Sequence, residues 1–312
     1  MIEALQRWAR ERGYAVAWGP GEEVERARAE IRARLANGEL DDGFFASELA
    51  PLGAAPIPAA GRTVIVVATP APAHLVRFEL AEGALDAVLP PTYLRYRPHF
   101  EEVRQDLGRH GMPGARLDHL DWPLKAVAAR LGLVRYGRNN VGYAPGLGSW
   151  VQLCGFLTDA PLDPPAPAPA AAPSLLDECD GCQICTAACP TGAIADDRVL
   201  LHAERCVTWI NENPGPWPDW LPAWAHTCLL GCLECQRACP ANPPLPVVAS
   251  GVEFTAAETA TLLAAEQAGP RAESGIRAKL AWLGQPYAEP VLGRNLTALL
   301  AARRRACQSK SS

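Results

Sequence analysis

The apolar and polar positions of the first half of the chain alternate between a helical and a strand-like period. Within residues 1–13 apolar side chains recur at helical spacing between charges, unlike the continuous apolar stretch of a signal peptide. Residues 24–35 are rich in Arg and Glu and also predict a helix, whereas the β-branched run 63–69 predicts a buried strand. Residues 75–89 alternate around a turn at Gly83, which predicts a hairpin.

A strand–helix–strand unit is predicted for the next part of the chain. Residues 115–117 read as a short strand, and Asp121 is placed to cap a helix with Pro123 in its first turn. Residues 150–157 form another apolar, strand-like run. Together these elements predict an α/β (α+β) domain over residues 1–160.

The second half begins with a tract that separates it from this domain. Residues 161–173 (PLDPPAPAPAAAP) offer little to bury and predict a semi-rigid linker. We expect a cysteine-rich domain over 174–250. A helical C-terminal segment is expected over 251–312, with helices at 258–267 and, capped by Asn295, at 296–305.

Composition narrows the class of protein. Apolar residues make up 49% and charged residues 20%, as in a globular protein, and no apolar run reaches the roughly 18–20 residues of a membrane helix. The default location is therefore the cytoplasm, without a membrane partner. A net charge of −5 does not favour nucleic acid as the main partner. Three lysines stand against 26 arginines, which indicates a compositional bias. Eleven cysteines in a cytoplasmic chain indicate metal or redox chemistry.

The cysteine spacing specifies that chemistry. A first run, C-x2-C-x2-C-x3-C-P, matches the bacterial ferredoxin pattern, in which the fourth cysteine binds the other of two [4Fe–4S] clusters. A second run, C-x2-C-x3-C-P, lacks one cysteine, which Cys206 can supply. The ferredoxin rule assigns one cluster to Cys179, Cys182, Cys185 and Cys239, and the other to Cys189, Cys206, Cys232 and Cys235.

Two alternatives concern these cysteines. Two zinc sites would also use eight thiolates, although zinc sites are usually built from separated CxxC pairs without the Cys-Pro ending. Cys228 lies four residues before Cys232 and could replace a ligand, but a buried free thiol is the simpler interpretation.

Several motifs resemble one known family. Residues 117–140 (LDHLDWPLKAVAARLGLVRYGRNN), the triplet 148–150 (GSW) and the triplet 157–159 (LTD) resemble the cobalamin-binding half of epoxyqueuosine reductases. Both cysteine runs, with Arg205-Cys206 between them, match that family's cluster domain in order and spacing. The resemblance covers roughly residues 60–245, although residues 208–213 read TWINEN where family members carry Thr-Ile-Glu.

The resemblance implies a fold, a reaction and a set of site residues. The fold is a cobalamin-binding α/β domain, then a ferredoxin-like double-cluster domain and a short helical tail. The family reduces an epoxide to an alkene in the tRNA base queuosine, using two [4Fe–4S] clusters and cobalamin. It implies Asp118 as proton donor, an external low-potential donor of flavodoxin or ferredoxin type, and tRNA as a possible partner. The implied cofactor contacts are Gly137, Arg138, Asn139, Ser149 and Trp150.

Two other functions fit the same residues. The chain could be an electron-transfer or corrinoid-activating protein without a substrate of its own, which an Asp118→Asn variant would separate from an enzyme. Alternatively, the N-terminal half could bind a flavin or nothing, which leaves a ferredoxin-like module.

Overall fold

The computed structural model describes residues 1–50, 61–91, 95–163, 175–195, 200–268, 274–285 and 288–309. Most of the predicted linker 161–173 lies outside these residues. The strands are β1 (Ala15–Pro20), β2 (Thr63–Pro70), β3 (Ala73–Glu79), β4 (Ala84–Leu89), β5 (Asp118–His119), β6 (Arg135–Tyr136), β7 (Gly142–Tyr143), β8 (Val151–Thr158) and β9 (Val247–Phe254).

Helices lie in both halves of the chain and predominate in the second. They are α1 (Ile2–Glu11), α2 (Glu22–Ala36), α3 (Tyr96–Asp106), α4 (Leu124–Arg130), α5 (Ile184–Ala188), α6 (Val207–Glu212), α7 (Glu234–Arg237), α8 (Ala256–Ala268), α9 (Ser274–Leu283) and α10 (Glu289–Ser309). Two π-helical turns, Phe45–Leu49 and Leu107–Gly111, lie between them.

A four-stranded antiparallel sheet forms the centre of the first half, in the order β1-β2-β8-β5. Its middle strand β2 has seven of its eight residues buried, which explains the continuous apolar run that predicted it. Helices α3 and α4 both pack on β8. The mixed α/β fold of this half and its hairpin are therefore confirmed, whereas the strand predicted at residues 115–117 is wrong, because the pairing with β8 begins at Asp118.

A second sheet joins the two halves of the chain. The hairpin β3–β4 pairs through β3 with β9, which runs parallel to it, in the order β4-β3-β9. The rings of Phe78 and Phe254 stack across this pairing with centroids 4.8 Å apart. Buried residues of β3 and β4 share one apolar core with those of α9 and α10. The boundary predicted at residue 250 falls inside β9, where the register of the pairing with β3 shifts between Ala249 and Glu253.

Two helix starts differ from the prediction. Asp121 does not cap α4: no side-chain cap bond is present there, and the Asp121 carboxylate faces Arg97 at 3.5 Å. Asn295 lies inside α10, where it is buried and donates to the carbonyl oxygens of Asn211 and Leu229. The helix begins earlier because Pro290 suits a first turn.

Among the described residues, none of the helices combines the length and the apolar character that crossing a membrane requires.

Candidate functional site

The first ferredoxin-type cysteine group comes together around α5. Cys185 lies in α5, and burial together with the neighbouring thiols of Cys179, Cys239 and Cys182 raises its pKa. All four cysteines line one small cavity. Cys239, which lies some 50 residues further along the chain than the others, thus reaches the first run, as the ferredoxin rule requires.

The second group comes together in the same way. Burial and the thiols of Cys232, Cys206 and Cys189 raise the pKa of Cys235 well above its usual range. Cys206 precedes the first residue of α6, and Cys189 follows the last residue of α5. Cys185 of the first group is also an electrostatic neighbour of Cys235, so the two groups lie next to each other.

The spacing of these thiols bears on the zinc alternative. In the part of the chain that the structure describes, no three Cys, His, Asp or Glu side chains converge closely enough to bind a single metal ion. A zinc site would need such a tetrahedral set of ligands. Two groups of four thiolates suit the larger [4Fe–4S] centre.

The turn 137–143 contacts the first cysteine group. The Arg138 backbone N–H donates to Cys179 Sγ at 3.4 Å, and its guanidinium donates to the Cys179 carbonyl oxygen at 3.0 Å. The Tyr143 hydroxyl is hydrogen-bonded to Cys239. A Cβ on Gly137 would lie 2.6 Å from the Tyr143 ring, so only glycine leaves that ring in place. Gly137 and Arg138, predicted as cobalamin contacts, line the small cavity of this cysteine group, and their contact with cobalamin stays a prediction.

The Gly148-Ser149-Trp150 triplet binds the loop that follows Cys239. Ser149 N–H donates to Asn242 Oδ1 at 2.7 Å, and Asn242 Nδ2 donates to Ser149 Oγ at 2.9 Å. Trp150 Nε1 donates to the Pro243 carbonyl oxygen at 2.7 Å. We call residues 148–150 with Asn242 and Pro243 the clasp, because they join the first half to the cysteine domain.

A cavity of about 950 Å³ lies beside the second cysteine group. Cys206, Cys232 and Cys235 form part of its wall, and its apolar side chains include Phe44, Trp122, Leu124, Val151 and Leu153. Asn139 and Ser149, predicted as cofactor contacts, line this cavity. Trp150, also predicted, is buried in the clasp and is not among the lining residues.

Sequence reasoning missed the charged groups of the cavity. Lys125 of α4 lines it, as do Asp41 and Glu212. Composition could have pointed to Lys125. The chain has only three lysines, and Lys125 is the one that lies within the motif resembling a cofactor-binding domain.

Asp118, predicted as the proton donor, does not line the cavity. It lies in β5 opposite Leu157, at the edge of the first sheet. Its carboxylate accepts hydrogen bonds from Arg116 at 3.0 Å and Arg62 at 2.7 Å, and these two arginines lower its pKa. In this arrangement the carboxyl is ionised at neutral pH and is held by two arginines, and its role as proton donor stays a prediction.

Comparison with known proteins first defines the class. Residues 178–242 match the family model described as 4Fe-4S double cluster binding domain. The chain therefore carries an iron–sulfur domain of the type that the cysteine spacing predicted.

The resemblance to epoxyqueuosine reductases is also confirmed. The epoxyqueuosine reductase of Staphylococcus aureus (strain NCTC 8325 / PS 47) is 36% identical over 118 residues, which are 38% of this chain and 29% of that protein. The matched part is thus less than a third of that relative's length.

Solved structures extend the resemblance to the fold. An epoxyqueuosine reductase with an epoxyqueuosine-modified tRNA-Tyr stem loop matches 96% of this chain and 80% of that chain, with a TM-score of 0.63 and 19% identity. The Bacillus subtilis enzyme, described with its catalytic aspartate loop swung out of the active site, matches with the same TM-score and identity.

Proposed function

We propose that this chain is a reductase in which two [4Fe–4S] clusters deliver electrons to cobalamin in the large cavity, for the reduction of an epoxide-type substrate. The observation that carries this proposal is the position of Cys206, Cys232 and Cys235 in the cavity wall. A cluster held there is in contact with whatever the cavity binds, so an electron needs no further carrier. The first cysteine group lies on the other side of the turn 137–143. A cluster held there would receive the electrons from the external donor.

The cavity fits a large, mostly apolar cofactor rimmed by amides. Its volume of about 950 Å³ lies at the upper end of the range for ligand sites. The wall combines apolar side chains with polar groups, among them the amides of Asn139, Asn140 and Gln152. Cobalamin, when bound, supplies the low-valent cobalt that carbon–oxygen bond reduction needs. The residues of the chain would orient it, exclude water and hold it against the second cluster.

The substrate is proposed from the relatives. The relatives are epoxyqueuosine reductases, and one solved relative holds an epoxyqueuosine-modified tRNA stem loop. We propose epoxyqueuosine in tRNA, or a related small molecule, as the substrate. A flavodoxin- or ferredoxin-type donor would supply the electrons in the cytoplasm.

Asp118 can serve as proton donor only after a movement. Its segment would have to leave β8 and give up the pairs with Arg62 and Arg116. The Bacillus subtilis relative is described with its catalytic loop out of the active site, so such a loop can move in that protein. We therefore propose that Asp118 donates a proton in a second, closed arrangement, in which its segment has moved to the cavity.

The first test is the metal content of anaerobically purified protein supplied with cobalamin. We expect about eight irons, about eight sulfides and one cobalt per chain, with charge-transfer absorption of the clusters. Turnover of an epoxyqueuosine-modified stem loop with reduced flavodoxin should then follow. Full iron without bound cobalt would contradict the cobalamin proposal.

One observation favours the electron-relay alternative, namely the position of Asp118 outside the cavity. A relay would bind cobalamin and reduce it, but would turn over no epoxide. Reduction of bound cobalamin without product from the stem loop would support that function instead.

A further inference from the structure

Lys125 lies in the first turn of α4 and lines the large cavity. The chain uses arginine for nearly all of its other cations, since only three of its 29 basic residues are lysines. Arginine stays protonated at any working pH, whereas a buried lysine can titrate. Lys125 can therefore release a proton, which an arginine at this position could not.

Asn140 holds the Lys125 ammonium in place with two acceptors. Lys125 Nζ donates to the Asn140 carbonyl oxygen at 2.5 Å and to Asn140 Oδ1 at 3.2 Å. Asn140 has φ of 57°, in the left-handed region, and only Arg95 shares this feature among the described non-glycine residues. Such a conformation costs about 1 kcal/mol or more and is found preferentially at functional sites. Lys125 Nζ also lies 5.2 Å from the centroid of the Tyr136 ring, in a cation–π contact.

The ammonium has no carboxylate partner in the described part of the chain, because the acidic groups on the elements around it are engaged elsewhere. Glu23 and Glu30 of α2 pair with Arg130 of α4, and Glu30 also pairs with Arg34. The other ionisable groups that line the cavity are Asp41, Glu212, Tyr96 and the three cysteines of the second group. Burial lowers the pKa of Lys125 to about 8, and burial is the one cause of that shift.

We propose that Lys125 is the proton donor of the cavity, a catalytic residue that gives a proton to the oxygen leaving carbon during reduction. This proposal rests on the proposed function. An epoxide takes up two electrons and two protons and gives an alkene and water. The two C–O bonds break, the electrons come one at a time from the flavodoxin- or ferredoxin-type donor, and the epoxide oxygen leaves as water. Lys125 supplies one proton and becomes a neutral amine, and solvent water supplies the other.

Lys125 lies at the cavity in the arrangement that the structure shows, whereas Asp118 would reach the cavity only in the closed arrangement. Asp118 is ionised and paired, whereas an ammonium with a pKa of about 8 is mostly protonated at neutral pH and can still release a proton. The protonated form is the active one. The rate should therefore be constant below pH 8 and fall as the pH rises through that value.

The test compares Lys125→Arg with Lys125→Met in the loaded enzyme, with Lys279→Arg as the matched control. Arg keeps the charge but not the transferable proton. We expect Lys125→Arg to lose about 100-fold in kcat with KM little changed, and to lose the decline above pH 8. Lys125→Met should lose the same activity and also weaken substrate binding. Lys279 pairs with Glu258 and does not line the cavity, so its variant should behave as wild type.

A second readout does not depend on turnover. Trace acetylation of the cobalamin-loaded protein at a series of pH values, followed by mass spectrometry, reports the deprotonation of each lysine. The Lys125 midpoint should lie near 8 and should shift to the ordinary lysine value of about 10.4 in an unfolded sample. Iron and cobalt content of each variant shows whether the site is intact.

The outcomes separate the two proposals. Wild-type turnover that Lys125→Arg leaves unchanged in rate and pH profile, or a Lys125 midpoint near 10, would overturn the assignment of Lys125 alone. Loaded wild-type protein that turns over no epoxide would overturn the proposed function, whatever the acetylation midpoint.

Discussion

Cys228, in a loop, and Cys235, in α7, lie seven residues apart and have different surroundings. Cys228 is 3% exposed and packs against Trp150 and Leu233, in a small apolar core. Cys235 has three other cysteines as its main electrostatic neighbours and lines the large cavity. The same side chain is thus a packing residue at one position and a ligand candidate at the other.

Replacing each of these cysteines by alanine tests the assignment. Cys235→Ala should lower the iron content from about eight to about four per chain, because one cluster loses a ligand. Cys228→Ala should keep about eight irons and lose only packing. Iron and sulfide assays of anaerobic protein make the measurement. Retention of both clusters in Cys235→Ala would contradict the grouping.

Sequence spacing was sufficient for the cysteines and insufficient for the other site residues. Thiolate spacing is a direct consequence of cluster geometry, so the two runs predicted the groups that the structure brings together. A sequence motif does not show toward which of two neighbouring sites a side chain points. The motif therefore did not show that Gly137 and Arg138 lie at the first cysteine group, or that Asp118 pairs with Arg62 and Arg116.

At the scale of elements, β8 and the residues before it join the sheet to the cluster domain. Gly148 has φ of 64°, and a Cβ there would lie 2.5 Å from Asn242 Oδ1 and 2.8 Å from Pro243 Cδ. The backbone conformation and the close approach of the clasp both require glycine. Strand β8 itself could be predicted from its apolar run, but the clasp depends on residues more than 90 positions away.

Gly148→Ala and Gly146→Ala form a matched pair for the clasp. Gly146 has a similar φ of 74° but no atom within 4 Å of its missing Cβ, so its variant bears only the backbone strain, about 1 kcal/mol. Gly148→Ala should cost about 1–2 kcal/mol more, because the clasp hydrogen bonds must also shift. Urea unfolding followed by tryptophan fluorescence gives the comparison. Equal losses in the two variants would argue against the clasp.

At the scale of the molecule, the C-terminal helix α10 connects regions that the sequence placed in separate domains. Arg294 of α10 donates to the carbonyl oxygens of Ile210 and Asn211, at the end of α6, each at 3.1 Å. Its guanidinium also lies 3.9 Å from the Trp217 ring centroid. Sequence periodicity predicted the helix but not these partners, since tertiary contacts of buried polar groups leave no local signal. Helix α10 therefore helps to hold α6, whose first residue directly follows Cys206 of the second cysteine group.

His226 makes this junction sensitive to acid. Its ring is 8% exposed and lies 4.1 Å from the Trp217 ring, and burial, with Arg294 and Arg305, lowers its pKa to about 4. The unfolded chain binds a proton near pH 6.5, so between pH 6.5 and 4 it holds more protons than the folded chain. Folding stability should thus be full above pH 6.5 and fall as the pH is lowered, by about 2–3 kcal/mol from this group.

Replacing His226 by phenylalanine should remove that part of the acid dependence. We expect the difference in unfolding free energy between wild type and His226→Phe to change by about 2–3 kcal/mol between pH 7 and pH 4, in favour of the variant at low pH. Acid loss of the clusters affects both proteins and cancels in the comparison. His110→Phe serves as the control, because the His110 side chain is 57% exposed and stays largely in water. Parallel pH curves for wild type and His226→Phe would show that the junction opens before the histidine takes up a proton.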